Sequence, residues 1–190
     1  MQLDQNFWEN RYKDNLTGWD IGGVSPQLQD YFQRLAEKDL KILIPGCGNG
    51  HEAIWLAQNG FKDITVIDLA AAPLAHVKNK APGIKTIQGN FFQLEEKFDL
   101  VIEQTFFCAL NPILRQQYVD KMANLLKPKG KIAGLLFSVV FDREGPPFGG
   151  NTTEYRNLFE EQFEIITLEP ALLSIKPRLG REVFFEFRKK

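Results

Sequence analysis

Cysteine is scarce in this 190-residue chain: there are two, Cys47 and Cys108, and neither sits in a CxxC pair or a Cys/His cluster. That argues against a zinc site and a disulfide framework, and reduced thiols in the cytoplasm are the simple reading. Histidine is as rare, with His51 and His76 alone. Charge of one sign is missing too. The 23 basic and 24 acidic residues leave a formal net charge of −1, and Arg188-Lys189-Lys190 is only a tail. A nucleic-acid binder more often shows a basic stripe, so no nucleic-acid partner is expected. No apolar run approaches the roughly 20 residues that span a bilayer. The N-terminus, MQLDQNFWENRYK, is polar and broken by charge, unlike a signal peptide or membrane anchor. The length suits one domain, expected over 1–190, with a helical segment over 1–38 ahead of a core over 39–190.

What the chain does have is alternation. Residues 40–45 (LKILIP), 64–69 (ITVIDL), 84–87, 98–103 (FDLVIE) and 131–138 (KIAGLLFS) read as strands. Between them, 51–59, 73–80 and 113–126 read as helices, with Gly60 as a stop and Pro73 in a first turn. Strict alternation predicts an α/β fold, a doubly wound and mostly parallel sheet with helices on both faces. A helix over 154–159 and strands over 163–168 and 183–188 bring the sheet to seven strands. Helices over 5–13 and 26–38 precede it. The Pro- and Gly-rich stretch 142–151 (DREGPPFGGN) reads as a long loop at the sheet edge.

The first strand runs into Gly46-Cys47-Gly48-Asn49-Gly50. In such a sheet ligands bind beyond the carboxyl ends of the strands, where Gly46 and Gly48 let a ligand approach bare main chain. A tight turn without a ligand is the competing reading, but it needs fewer glycines. No GK[ST] follows, so a phosphate cradle is not indicated. The pattern is GxGxG rather than the GxGxxG of dinucleotide folds, with His51 at the last position. Asp68 ends the second strand, where a carboxylate can accept both hydroxyls of a ribose. Loop and acid together point to a nucleoside lacking phosphates, with a nucleotide-dependent oxidoreductase as the alternative.

Several stretches carry a resemblance: IPGCGNG, FWENRYKDNLTGWDIG, GNFF, FDLVIEQTFFCALNP, LLKPKGKIAGLLF and GPPF. The chain resembles class I S-adenosylmethionine-dependent methyltransferases, which have a Rossmann-like fold. The ordered set is similar to the thiopurine S-methyltransferase family, in particular its thiol and halide methyltransferase branch. The resemblance implies S-adenosyl-L-methionine as cofactor and a small-molecule substrate. It implies that Gly46, Cys47 and Gly48 line the methionine moiety, Asp68 the ribose, and Asn90 and Phe91 the adenine. Gln104 would lie beside the methionine part or the acceptor. Trp8 and Tyr12 would close over the cofactor from an N-terminal lid, and Trp19 would belong to the substrate lid. Asn90 stands where many members carry Asp, and Tyr12 where some relatives carry Trp.

The donor of such an enzyme is a cationic sulfonium, and aromatic faces attract cations by about 0.5 to 2 kcal/mol each. Trp8, Tyr12, Trp19, Phe91, Phe92, Phe106 and Phe107 are candidates, with hydrophobic core the preferred reading for Phe92 and Phe106. Phe107 and Phe148, the latter in Pro146-Pro147-Phe148, are expected on the substrate side. A thiolate, hydrosulfide or halide acceptor needs no proton removed during attack, so alignment can supply about 7 to 11 kcal/mol. No catalytic residue is assigned beyond Gln104 as a candidate, and no metal is expected. His51 and His76 read as surface residues, Arg178 and Arg181 as surface charges, and Glu103-Gln104 as following strand four. A monomer is expected, and a non-catalytic cofactor-binding protein is the further alternative.

Overall fold

The computed structural model describes residues 2–190. It contains two compact units, the first ending at Leu94 and the second spanning Glu95–Lys190. In the first, helices α1 (Gln5–Lys13) and α2 (Pro26–Gln33) precede β1 (Lys41–Pro45), α3 (His51–Gln58), β2 (Asp63–Asp68), α4 (Ala71–Lys80) and β3 (Lys85–Gln88). Strands β1 and β2 pair in parallel, with Pro45 opposite Ile67, and β2 pairs in parallel with β3, with Asp68 opposite Gln88. Ile42, Leu43, Val66, Ala53, Leu56 and Val77 have no exposed surface. Apolar side chains of Val or Leu size contribute about 1.5 to 3 kcal/mol each when fully buried.

The second unit holds β4 (Phe98–Gln104), α5 (Arg115–Leu125), β5 (Leu126–Phe137), α6 (Thr152–Phe159), β6 (Phe163–Pro170) and β7 (Glu182–Lys189). Here β4 and β5 are parallel, while β7 runs antiparallel to both β5 and β6. Its core is aromatic. Phe159 lies 5.0 Å from Phe187, and Phe185 lies 4.7 Å from Phe187, ring centre to ring centre. The seven strands form one mixed sheet in the order β3-β2-β1-β4-β5-β7-β6. This is the doubly wound, mostly parallel architecture expected from the alternation.

Local chemistry explains the element ends. The Asp4 side chain accepts from the Phe7 amide and caps α1, and Asn151 caps α6 through the Glu154 amide. Gly50 precedes α3 at φ 68°, and a Cβ there would stand 2.2 Å from Val77 Cγ2, so α3 and α4 pack through it. Three expectations need correction. Helix α2 ends at Gln33 rather than 38, because its buried anchors Leu28, Tyr31 and Phe32 end there. The Lys38 carbonyl instead accepts from Lys62, and its ammonium sits 4.0 Å from the Phe61 ring centre. The helix expected from 113 begins with a 3-10 turn at Pro112–Leu114, capped by Asn111, and becomes α-helical at Arg115. The fourth strand, expected over 98–103, takes in Gln104 as well, so that Glu103 lies opposite Gly134 and Gln104 opposite Leu135 of β5. No helix among the described residues is long and apolar enough to cross a membrane.

Candidate active site

Beyond β1 the chain turns on glycines with left-handed backbone, Gly46 at φ 56° and Gly48 at φ 52°. The Gly46 amide still donates to Ile67 of β2 at 2.7 Å, so the loop starts as an extension of the ladder. The Gly50 amide then closes a turn on the Cys47 carbonyl at 2.9 Å. Asp68 organises the loop from the end of β2. One carboxylate oxygen accepts from the Gly48 amide at 3.1 Å and the other from the Ala70 amide at 2.9 Å. Burial pushes the Asp68 carboxyl up, against the lowering effect of amides at Ala70, Gly48 and Leu69. Each carboxylate oxygen keeps lone-pair capacity for a ligand.

Aromatic side chains stand over this loop. A Cβ built on Gly48 would find the Tyr12 hydroxyl at 3.5 Å and the Trp19 indole nitrogen at 3.7 Å, with no clash. Trp19 meets Trp8 edge-on at 5.5 Å and Tyr12 edge-on at 5.6 Å. Trp8 and Tyr12, at i and i+4, share one face of α1. A side-chain hydrogen bond joins Tyr12 and Trp19. Burial, then Asp68 and Cys47, raises the Tyr12 hydroxyl so that it stays protonated. Burial, then Asp68, raises the Cys47 thiol as well, leaving a small neutral side chain rather than a nucleophile. A cradle of left-handed glycines, an acid bonded to it and three aromatic rings fit a cationic adenosyl cofactor.

Two acids that the sequence reading passed over hold this arrangement. Glu9 accepts from the Ala71 amide at 2.9 Å, tying α1 to the start of α4. Asp20 accepts from His51 Nε2 at 2.8 Å, from the Gly22 amide at 2.7 Å, and from the Asn49 amide group. His51 is therefore not the free surface residue expected of it, whereas His76 is exposed. Burial alone would raise Asp20, but hydrogen bonds from Gly22, His51 and Asn49 together hold it below the ordinary carboxylate range. The adjacency of Asp20 to Trp19 in TGWD is the sequence signal that would have singled it out. Asn90 is exposed, and its side-chain oxygen accepts from Phe92 to cap the turn at Phe91–Gln93. Phe91 is buried and meets half-buried Phe92 edge-on at 5.3 Å.

In the second unit the end of β4 carries the remaining candidates. The side-chain oxygen of Gln104 is buried and has no hydrogen-bond partner among the described residues. Glu103 is fully buried, and its carboxyl is pushed up to about 7 by that burial. It accepts from the Phe106 amide at 2.7 Å, the Phe107 amide at 2.9 Å and the Tyr118 hydroxyl at 2.6 Å. The expected burial of the next two rings is reversed. Phe107 is 1 % exposed and packs on Tyr118 and Tyr155, with the Arg115 guanidinium 5.0 Å from its ring centre. Phe106 is half-buried. Phe148, also half-buried, is held by its amide donating to the Cys108 carbonyl at 2.6 Å. Next to it, the Gly149 carbonyl accepts from Arg115 at 2.6 Å. Arg178 is not a surface charge but is buried against Glu182 at 3.2 Å, whereas Arg181 is exposed. Among the described residues, no group of three or more His, Cys, Asp or Glu is arranged to hold a metal ion.

The fold, a seven-stranded mixed sheet with a glycine loop after β1, is that of the Rossmann-like methyltransferases among solved structures. The family model described as thiopurine S-methyltransferase matches residues 3–183, and the chain belongs to that family. It is accordingly an enzyme that uses S-adenosyl-L-methionine, and neither the oxidoreductase nor the non-catalytic alternative is favoured. Among curated proteins it is similar to the "probable thiol methyltransferase 2" of Arabidopsis thaliana, at 29% identity over 96% of this chain and 84% of the relative. It is 26% identical to thiocyanate methyltransferase 1 of Brassica oleracea, over 98% of this chain and 86% of the relative. It is 27% identical to a thiopurine S-methyltransferase of Photobacterium profundum, over 83% of each chain. Among solved structures, the Burkholderia thailandensis 1,6-didemethyltoxoflavin-N1-methyltransferase shares the fold. It has a TM-score of 0.76 and 17% identity, over 98% of this chain and 87% of that one, and was crystallised with S-adenosylhomocysteine.

Proposed function

We propose that this enzyme methylates a small, soft nucleophile (a thiol, sulfide, thiopurine-like or halide acceptor) by in-line displacement. The relatives named for thiols, thiocyanate and thiopurines support that class. When bound, S-adenosyl-L-methionine supplies a methyl group on a cationic sulfur. The observation that carries the reading is the Gly48 cradle, covered at van der Waals distance by Tyr12 and Trp19 and bonded to Asp68. Gly46, Cys47 and Gly48 line the methionine part, and the free lone pairs of Asp68 receive the ribose hydroxyls. Asn90 and Phe91 flank the adenine. Since the Asn90 oxygen is engaged by Phe92, its amide NH2 is the group left to meet the base. Trp8 and Tyr12 offer ring faces to the cation, and Trp19 serves both cofactor and acceptor.

On the acceptor side we assign Gln104, whose unpartnered buried oxygen calls for a ligand donor, and Phe148. Half-buried Phe106 is better placed to meet a ligand than Phe107, whose ring is consumed by core contacts. A soft acceptor suits the absence of an evident base. His51 is engaged by Asp20, His76 is on the surface, and Glu103 has both oxygens occupied. Positioning then supplies the acceleration. The same reading has residues 1–190 act as one catalytic domain, a cytoplasmic monomer that engages neither membrane nor nucleic acid. Near-balanced charge and two free cysteines support it. Incubation of pure protein with labelled donor and a panel of thiols, sulfide, thiocyanate and iodide should give methylated product from at least one. No product from any of them would overturn the acceptor class.

A further inference from the structure

Residues Asp14 to Ser25 link α1 to α2 and carry Trp19 to its place above Gly48. The three donors to Asp20 come from different places. Gly22 belongs to the linker itself, Asn49 to the glycine loop, and His51 to the first residue of α3. Asn49 directly follows Gly48 and Asp20 directly follows Trp19, so a bond between 20 and 49 fixes residue 19 against residue 48. The partners are 29 and 31 residues apart in sequence. The His51–Asp20 pair is partly shielded, with side chains 26% and 19% exposed. Such a pair is stronger than a fully solvated one, which is worth little.

We propose that Asp20 is a positioning residue, a clasp between the linker and the glycine loop that holds Trp19, and through it Tyr12, over the cofactor cradle. It touches neither cofactor nor acceptor and acts by ordering the rings that do. The inference rests on the reading of the Gly48 cradle as the cofactor site. Without the clasp, each binding event would also have to order the linker, which lowers affinity. The donor and acceptor roles of the pair define a test. Asn49→Asp sets two carboxylates against each other and opens the clasp. Asp20→Asn combined with Asn49→Asp restores one donor facing one acceptor, while the amide oxygen at position 20 still accepts from Gly22 and His51.

The readouts are the calorimetric Kd of S-adenosylhomocysteine and acrylamide quenching of tryptophan emission, with circular dichroism and thermal melting to verify folding. Asn49→Asp should raise the Kd at least tenfold and increase quenching. The double variant should return Kd to within threefold of wild type and reduce the quenching. Asp20→Asn alone, which keeps the Gly22 and His51 bonds, should fall between; it also serves if Asn49→Asp does not fold. Unchanged affinity in the folded single variants, or a loss that the double variant does not recover, overturns the clasp. The test reads cofactor binding, so failure of every acceptor leaves it intact. A wild-type protein that does not bind S-adenosylhomocysteine would overturn the underlying site instead.

Discussion

Asp68 and Glu103 both stand at the carboxyl end of a parallel strand, β2 in the first unit and β4 in the second. Their surroundings differ. Asp68 is half-buried, and its carboxylate accepts from the Gly48 and Ala70 backbone amides, one on each oxygen. Glu103 has no exposed surface and receives three donors, two of them on one oxygen and the Tyr118 hydroxyl on the other. Gly134 lies opposite Glu103, where an added Cβ would come within 2.1 Å of the Glu103 carbonyl oxygen. Position at a strand end therefore does not make an acid a ligand group. What matters is whether the fold itself has used the carboxylate.

The comparison can be broken from either side. Glu103→Ala should give the largest effect, a stability loss of about 4 kcal/mol, because it strands the buried Phe107 amide, the part-buried Phe106 amide and a buried hydroxyl. Urea denaturation would measure it, and a loss under about 1 kcal/mol would mean the carboxylate is not integral to the fold. The pH dependence of the same group should be nearly as large. Its folded pKa of about 7 lies above the value of 4.5 for an unperturbed glutamate. The native state therefore binds more protons than the unfolded chain between those values, and stability falls as pH rises from about 4.5 to 7. The full change is on the order of 3 kcal/mol. Glu103→Gln keeps the shape and removes the titration, so its stability relative to wild type should rise over that window. A parallel pair of pH profiles would contradict the burial argument.

Asp68→Ala should act on affinity instead. Losing a charge-assisted contact costs about 2 kcal/mol, roughly thirtyfold in the Kd of S-adenosylhomocysteine by calorimetry. Unchanged binding would remove Asp68 from the proposed ribose site. The smallest effect belongs to Tyr12→Phe. It keeps the ring face but removes the hydroxyl bonded to Trp19, and should weaken binding by about 1 kcal/mol, near fivefold. Variants at Glu103 that changed cofactor affinity more than stability, or variants at Asp68 that did the reverse, would erase the distinction between the two acids.

Much of this was legible along the chain because it is set by near neighbours. Runs rich in β-branched and apolar residues, such as ILI at 42–44 and TVI at 65–67, broken by glycines and helices, identify the strands. The GxGxG spacing marks a backbone that must take left-handed angles, and Gly46 and Gly48 do so. The burial of Phe107 over Phe106 was not legible, since adjacent rings of the same type differ only in what the rest of the fold packs on them. Arg178 was misread for a similar reason. Its partner Glu182 is only four residues away, but no helix joins them, and Ser174 completes the buried set by donating to Glu182 at 2.7 Å.

The sequence by itself determined the alternation, the bare loop after the first strand and the acid after the second, because backbone dihedrals and side-chain periodicity are local properties. Only the tertiary structure decided that one strand-end carboxylate is spent on the fold, that Asp20 meets Asn49 and His51, and that Trp19 rests beside Gly48. Those outcomes depend on long-range packing, which sets solvent exclusion and hydrogen-bond partners for groups whose own spacing carries no sign of it.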